Sequence, residues 1–432
     1  MALIVQKFGG TSVGTLERIG RAAERVAATA RQGHRVVTVV SAMAGETNRL
    51  LKVANDIAEV PDLSEVDVLI ATGEQATAAM LAIQLRARGH AARSFLGHQI
   101  AIRTNSKFGR AWIESIDRGP IEAALDRGEI AIVAGFQGVD ADARITTLGR
   151  GGSDTTAVAL AAALDADFCD IFTDVDGVYT ADPNVVPDAR RIPHLTHEEM
   201  LEMASLGAKV LAERSVEYAM RYNVSVRVLH AFQDGAGTLV DAREDPMEQR
   251  TVTAVACQRD QAKIAMRGVP DRPGIAASIF LPLSESGVVV DMIVQNVSEH
   301  GLTDLTFTVP RVDLKRLLPV MHDIAAKVGA RQVDQDATIA KVSVVGVGMR
   351  THAGVAAKMF HALSSVGVNL QMISTSEIKI SCVIEEKFSE LAVRVLHEEF
   401  DLGTQGAGGK APPAAPKGRR AKPARKPARA RG

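Results

Sequence analysis

Three loops in this sequence carry residue types suited to phosphate and carboxylate chemistry. The first is Lys7-Phe8-Gly9-Gly10-Thr11-Ser12-Val13-Gly14. Its glycines let backbone N–H groups approach an anion at the start of a helix, and Lys7 adds a positive point charge. The lysine precedes the glycines, so this is not the G-x-x-x-x-G-K-S/T phosphate loop, and a tight turn around an ordinary surface lysine is the structural alternative. The second loop, Leu148-Gly149-Arg150-Gly151-Gly152-Ser153-Asp154-Thr155-Thr156, opens an Ala-rich helix over 157–164. Ser153 or Asp154 suits a helix cap. A cap has no use for Arg150, whose guanidinium among three glycines is placed for bidentate recognition of a carboxylate or phosphate. The third loop runs from Phe172-Thr173-Asp174 through Asp176-Gly177-Val178-Tyr179 to Asp182-Pro183. Turn chemistry accounts for Asp-Gly and Asp-Pro; the dense acidic and aromatic content around them suits a nucleotide seat.

These loops need a scaffold that brings them together. Leu3–Gln6 reads as a strand, Leu16, Ile19, Ala23, Val26, Ala27 and Ala30 recur at helical spacing up to Gly33, and Val36–Val40 is a second apolar run, together a βαβ unit. Buried-strand candidates at 130–134 and 168–172 each follow an Ala-rich helical stretch, so roughly the first 230 residues predict a parallel sheet covered by helices. Ligands in such sheets sit beyond the carboxyl ends of the strands, where the three loops fall.

A chain of 432 residues exceeds what one core organises, and scarce aromatics with plentiful Ala, Val and Gly suit close-packed α/β layers. Net charge is −1, yet residues 410–432 hold nine Lys or Arg and no acid, leaving −10 on residues 1–409. The segment 403–432 reads as a disordered basic tail, and it lacks the interleaved aromatics that stack on bases, which disfavours a nucleic-acid role. Cys169, Cys257 and Cys382 are isolated and read as reduced thiols. With no signal-peptide pattern and no run of membrane-spanning length, a cytoplasmic location is expected.

After Asp234-Gly235-Ala236-Gly237 the elements shorten and an internal repeat begins. Residues 272–298 align without a gap to 352–378 at an offset of 80, pairing Gly274 with Gly354, Phe280 with Phe360, Gly287 with Gly367 and Met292 with Met372. Each copy reads strand, turn, helix, strand, with room for a βαββαβ ferredoxin-like module.

Taken with Ser41-Ala42-Met43, Thr47-Asn48 and Thr72-Gly73-Glu74-Gln75, the three loops closely resemble the aspartate kinase family of the amino acid kinase superfamily, over residues 2 to about 401. Val269-Pro270-Asp271-Arg272-Pro273-Gly274 and Val368-Asn369-Leu370-Gln371-Met372 resemble that family's paired regulatory ACT modules. The resemblance implies an amino-acid-kinase-like parallel-sheet sandwich with helices on both faces over 1–245, and ACT modules over 260–335 and 336–402. It implies that Lys7 and Asp154 are catalytic, that Ser41, Thr47, Glu74, Arg150 and Ser153 hold aspartate, and that Lys7, Gly9, Gly10, Thr173, Asp174, Tyr179, Asp182, Pro183 and Lys209 contact ATP. It further implies a homo-oligomer in which lysine, threonine or both bind between ACT units near Asp271, Gly274, Ile275, Gln295 and Asn369. Some family members make the regulatory half separately, and Met247 or Met266 offers an internal start for that.

The chemistry agrees with this cast. A side-chain carboxylate ordinarily titrates at about pH 4, so as a nucleophile it needs no general base at neutral pH, and positioning and charge neutralisation do the work. Two anions must meet, from which magnesium is inferred as the companion of ATP. Another superfamily kinase, of glutamate, acetylglutamate, carbamate or UMP, would share the phosphate loops; the duplicated module and the Glu74 segment disfavour it. A silent amino-acid sensor would have no need of Lys7, Arg150 and Asp154 together. A dinucleotide reading of Val344-Val345-Gly346-Val347-Gly348 fails on the misplaced third glycine.

Overall fold

The computed structural model describes residues 1–208, 210–243, 251–296 and 300–403; Lys209, Met247 and the basic tail from 404 lie outside them. Strand β1 (Leu3–Phe8) buries five of its six residues, as a strand covered on both faces must. In α1 (Leu16–Arg31), Thr15 Oγ1 accepts the Arg18 N–H and Ile19, Ala23, Val26 and Ala27 form the buried stripe. Next come β2 (Arg35–Val40), α2 (Glu46–Ile57), α3 (Leu63–Ala87), β3 (Ala92–Phe95), β4 (Arg103–Thr104), β5 (Ile113–Ser115) and α4 (Gly119–Asp126). The chain continues through β6 (Ile130–Ala134), β7 (Gln137–Val139), β8 (Ile145–Thr147), α5 (Gly152–Ala163) and β9 (Phe168–Thr173). It closes the first half with β10 (His194–Thr196), α6 (His197–Ser205), α7 (Glu213–Tyr222), β11 (Val226–His230) and β12 (Thr238–Asp241).

The main sheet has the order β10-β12-β11-β9-β1-β2-β6-β3, and all its pairs are parallel except β11 with β12. The chain winds outward from β1 through β2 and returns to the other side of β1 as β9, so the carboxyl end of β1 is a topological switch point. Lys7 stands there. Strands β4, β5, β7 and β8 form a separate small sheet in the order β5-β4-β7-β8. The sequence reading found no run of membrane-spanning length, whereas the 25-residue α3 is long and apolar enough by length and composition. Its apolar residues pack on α1, β3 and β6, and its buried face also carries Asp67 and Glu74.

The second half forms β13 (Ala254–Pro270), α8 (Ile275–Glu285), β14 (Ile293–Gln295), β15 (Leu302–Pro310), α9 (Leu314–Val328), β16 (Gln332–Val345), α10 (Val355–Ser365), β17 (Met372–Thr375), β18 (Lys379–Glu385) and α11 (Ser389–Glu399). Helix α10 repeats α8 residue for residue at the offset of 80. Gly274 and Gly354 enter these helices at φ 87° and 96°, and Gly287 and Gly367 leave them at 70° and 74°, left-handed positions that favour glycine. The strands make one six-stranded antiparallel sheet, β14-β15-β13-β16-β18-β17.

The modules interleave within this sheet, which a boundary drawn at 335/336 does not capture. Residues 254–258 of β13 pair with 341–345 of β16, while 261–270 of the same strand pair with β15. The strand that completes the second module thus precedes the first module in the chain. Val255 joins the second module's apolar cluster, and Ala254 and Ala256 join Met200, Met203 and Leu206 of the catalytic half, the alternation expected of a strand buried on two faces. A regulatory chain started at Met266 would lack that strand; one started at Met247 would keep it.

Two segments weld the halves together. Ala181, Val186 and Ala189 enter the second module's core, and Thr180 Oγ1 meets His397 Nε2 at 2.9 Å. On α6, buried Glu199 forms a capping box with Thr196, while its Oε1 accepts from Thr253 Oγ1 at 2.7 Å and from the Val347 N–H at 3.2 Å. Glu198–Arg350 and Glu202–Lys379 flank it as ion pairs, more exposed and so of less weight. Glu199→Ala strands several donors and costs roughly 1–3 kcal/mol, to be read as a lowered melting temperature; unchanged melting would mean that these bonds do not hold the junction.

Candidate active site

Three helix starts converge on one cleft. A 3₁₀ turn begins at Gly10, α2 begins behind Gly45 at φ 84°, and α5 begins behind Gly151 at φ 73°. Gly10, Gly45, Gly151 and Gly152 at these starts share a cavity of about 310 Å³ with Lys7, Ser41, Ala42, Met43, Thr47, Asn48, Glu74, Phe136, Gly149, Arg150, Ser153 and Asp154. Unpaired N–H groups at helix starts make such a cleft favourable to anions.

Lys7 and Asp154, both lining this cavity, form an ion pair. Lys7, at the end of β1, and Asp154, in the first turn of α5, are both buried and meet Nζ to Oδ1 at 2.5 Å. Helix α5 starts at Gly152 with no side-chain cap, five residues before the expected 157. Ser153 and Asp154 are therefore inside its first turn, and the capping alternative is excluded. Close packing fixes the turn: a Cβ on Gly152 would lie 2.8 Å from the Phe136 ring, and one on Gly151 would lie 2.3 Å from Ala212 Cβ.

Glu74 is 3% exposed. One carboxylate oxygen accepts the Ala42 N–H at 2.9 Å, and the other has no partner among the described residues. Burial pushes this carboxyl up to about 7 against the pull of the Ala42 N–H. Arg150 is exposed at the cleft and makes no ion pair among the described residues.

The proposed ATP contacts are more scattered. Gly9 donates to the Phe172 carbonyl at 3.4 Å and lies beside Lys7 Nζ, and Thr173 and Asp174 follow at the end of β9, the neighbour of β1. Tyr179 donates to Asp176 at 2.7 Å. Asp182 accepts from the Asn184 N–H and Nδ2, and Pro183 is exposed. None of these last five lines the cleft, and Lys209 lies outside the described residues. The effector candidates are spread over both modules. Asp271, Gly274, Gln295 and Asn369 are exposed on separate segments, and Ile275 is buried in the first module's core. A second cavity of about 380 Å³ between the modules includes their neighbours Val294, Asn296, Leu370 and Gln371.

The sequence reading missed Phe136. This residue adopts φ 70° at the exit of β6, where its N–H donates to Thr156 Oγ1 and its carbonyl accepts from Leu148. A left-handed phenylalanine costs about 1–3 kcal/mol and persists where surroundings impose it. The flanking Gly135 and Gly138 were the available signal.

The Amino acid kinase family model matches residues 2–230, and ACT domain models match 264–326 and 342–400. Aspartokinase of Pseudomonas aeruginosa is 58% identical over 404 residues, covering 93% of this chain and 98% of that protein. This chain belongs to the aspartate kinase family. Aspartokinase of Corynebacterium glutamicum is 47% identical over 408 residues, covering 93% of this chain and 97% of its own. The crystal structure of E. coli aspartokinase III in complex with aspartate and ADP, an R-state, superposes with TM-score 0.78 at 28% identity over 92% of this chain and 99% of that one. The same enzyme with lysine and aspartate, a T-state, gives 0.71. As a member of the family the chain is a kinase, with ACT modules that mark it for allosteric regulation.

Glu74 supplies a pH test. A carboxyl raised in the fold contributes stability that is full below its unfolded value near 4.5 and lost as pH rises through about 7. Without ligand, Glu74→Gln therefore melts higher than the unsubstituted protein at pH 8, by at most about 3 kcal/mol, and the gap closes towards pH 5. A pH-independent difference would refute the shift.

Proposed function

We propose that this cleft transfers the γ-phosphoryl group of ATP to the β-carboxylate of L-aspartate. The observation that carries the reading is the presence in one cavity of an unsatisfied buried carboxylate, Glu74, and a guanidinium without an ion pair among the described residues, Arg150. An amino acid zwitterion complements both: its α-carboxylate takes the bidentate arginine and its α-ammonium takes Glu74. Ser41, Thr47 and Ser153 supply hydroxyls along the same wall, leaving the side-chain carboxylate to face Lys7 and the α5 N-terminus.

The attacking oxygen is already ionised, so no proton must be moved. Lys7 stabilises charge on the transferring group while Asp154 holds its ammonium in place. The backbone of Gly9 and Gly10 lines the phosphate side, and Thr173, Asp174, Tyr179, Asp182, Pro183 and Lys209 are assigned to the nucleotide. Magnesium fits as an ion borne by the phosphates. Among the described residues no three His, Cys, Asp or Glu side chains cluster, and such ions take only one or two carboxylates, of which Asp154 would be one. When bound, it neutralises phosphate charge.

Regulation is proposed to need a second copy of the chain. β14 and β17 are the free edges of the ACT sheet, with Ile293 and Ile373 53% and 43% exposed. Asp271, Gly274 and Gln295 of one copy with Asn369 of another would then frame an effector, lysine or threonine. A reducing, cytoplasmic setting suits the thiols. All three cysteines are free, and burial raises Cys257 to about 11 and Cys382 to about 12, which keeps them protonated and unreactive.

The test is aspartate-dependent ADP release with hydroxylamine trapping of the acyl phosphate, with and without lysine and threonine. Hydroxamate from aspartate, suppressed by an effector, is expected. Arg150→Ala should raise KM for aspartate about 30-fold, the loss of about 2 kcal/mol, and Lys7→Ala should lower kcat by ~10²–10³. Turnover of another acid in place of aspartate would overturn the substrate assignment.

A further inference from the structure

Behind the substrate loop lies a second buried carboxylate with no role so far. Asp67 is on α3, two turns before Glu74 and on the same buried face, and is fully buried. It has no cationic partner among the described residues. Its oxygens instead accept the Gly109 N–H at 2.9 Å, the Thr147 N–H at 2.8 Å and Thr147 Oγ1 at 2.6 Å. Thr147 immediately precedes Leu148-Gly149-Arg150-Gly151, and the Ala111 N–H donates to its carbonyl at 2.8 Å.

The same two segments are also held by the opposite charge. Arg214, in the first turn of α7, donates from Nη1 to the Leu148 carbonyl at 3.0 Å and from Nη2 to the Ala111 carbonyl at 2.8 Å. Its guanidinium lies 5.0 Å from the Trp112 ring. Gly149, with φ 78°, packs so closely that a Cβ would sit 3.0 Å from the Gly109 carbonyl. A carboxylate thus takes N–H groups, and a guanidinium the carbonyls, of two segments, 109–111 and 147–148, the second of which leads into Arg150.

We propose that Asp67 and Arg214 are positioning residues for the kinase reaction: a two-sided clamp on 109–111 and 147–148 that sets Arg150 and the start of α5 for the amino acid substrate. The proposal rests on the reading of Arg150 as the carboxylate grip. Neither side chain lines the cleft, so each acts through the backbone. The two clamp arms come from different helices, so a loss at either should show on the same substrate.

In the full-length enzyme, Asp67→Asn turns one acceptor oxygen into a donor facing N–H groups. It should raise KM for aspartate about tenfold while KM for ATP stays within about twofold. Arg214→Lys, a single point cation where two carbonyls were bridged, should give a smaller rise and Arg214→Met a larger one. Hydrogen exchange at Gly109 and Thr147 should quicken about tenfold in Asp67→Asn, with β1 and β9 unchanged. Equal shifts in both KM values, or unaltered exchange, would overturn the clamp; if Asp67→Asn fails to fold, the Arg214 series decides. Exchange needs no substrate, so a wild type inactive on aspartate sinks the functional reading and leaves the clamp to be judged on exchange alone.

Discussion

Lys7 and Asp154 meet at 2.5 Å where the end of β1 faces the first turn of α5, and the catalytic half is arranged around that contact. The reaction asks a carboxylate to approach a triphosphate, so positive potential must be gathered at the cleft. The fold does this with one buried lysine, the exposed Arg150 and three helix starts. Two of those starts have a glycine where a Cβ would collide, Gly10 at 2.9 Å from the Ala42 carbonyl and Gly152 at 2.8 Å from the Phe136 ring, while at the third Gly45 supplies a left-handed turn with φ 84°. Burial works in both directions: it strengthens attraction for the substrate and makes every unpartnered carboxylate costly. Glu74 shows that cost as a carboxyl pushed up to about 7.

The regulatory half reaches this centre through short physical links. Segment 179–190 ends in the second module's core, and its other end continues from Thr173 and Asp174 beside the phosphate loop. Helix α6 is tied by Glu199 to Thr253 and Val347, and the chain that follows it brings Ala212 against Gly151 and Arg214 against Leu148. The interleaved sheet puts residues 254–258 between catalytic and regulatory cores. The second module is thus in continuous contact, through these segments, with the residues around Gly151 and Leu148.

Much of this was legible in the sequence, because periodicity and glycine punctuation are local. The βαβ start, the strand at 130–134 and the offset of 80 between α8 and α10 follow from patterns within one element or its copy. The loops of the cleft were legible as residue types, since Arg150 among glycines has few structural uses. The start of α5 was misjudged: Gly151 and Gly152 read as loop, yet the turn is imposed by Phe136 and Ala212, which are distant in sequence. Phe136 itself, the interleaving of the modules through 254–258, and Asp67 as a clamp depend on contacts spanning tens of residues, which no local pattern encodes.

The most direct test of the central claim, that burial makes Glu74 of the empty cleft hold a proton more readily than an ordinary carboxyl and give it up when a substrate ammonium binds, is the proton balance of aspartate binding. Calorimetric titration at pH 6.5 in buffers of different ionisation enthalpy measures it. With Glu74 poised at about 7 in the empty cleft, the account predicts release of a substantial fraction of one proton per aspartate bound, diminishing towards pH 8.5. Binding with no proton release at pH 6.5 would contradict it.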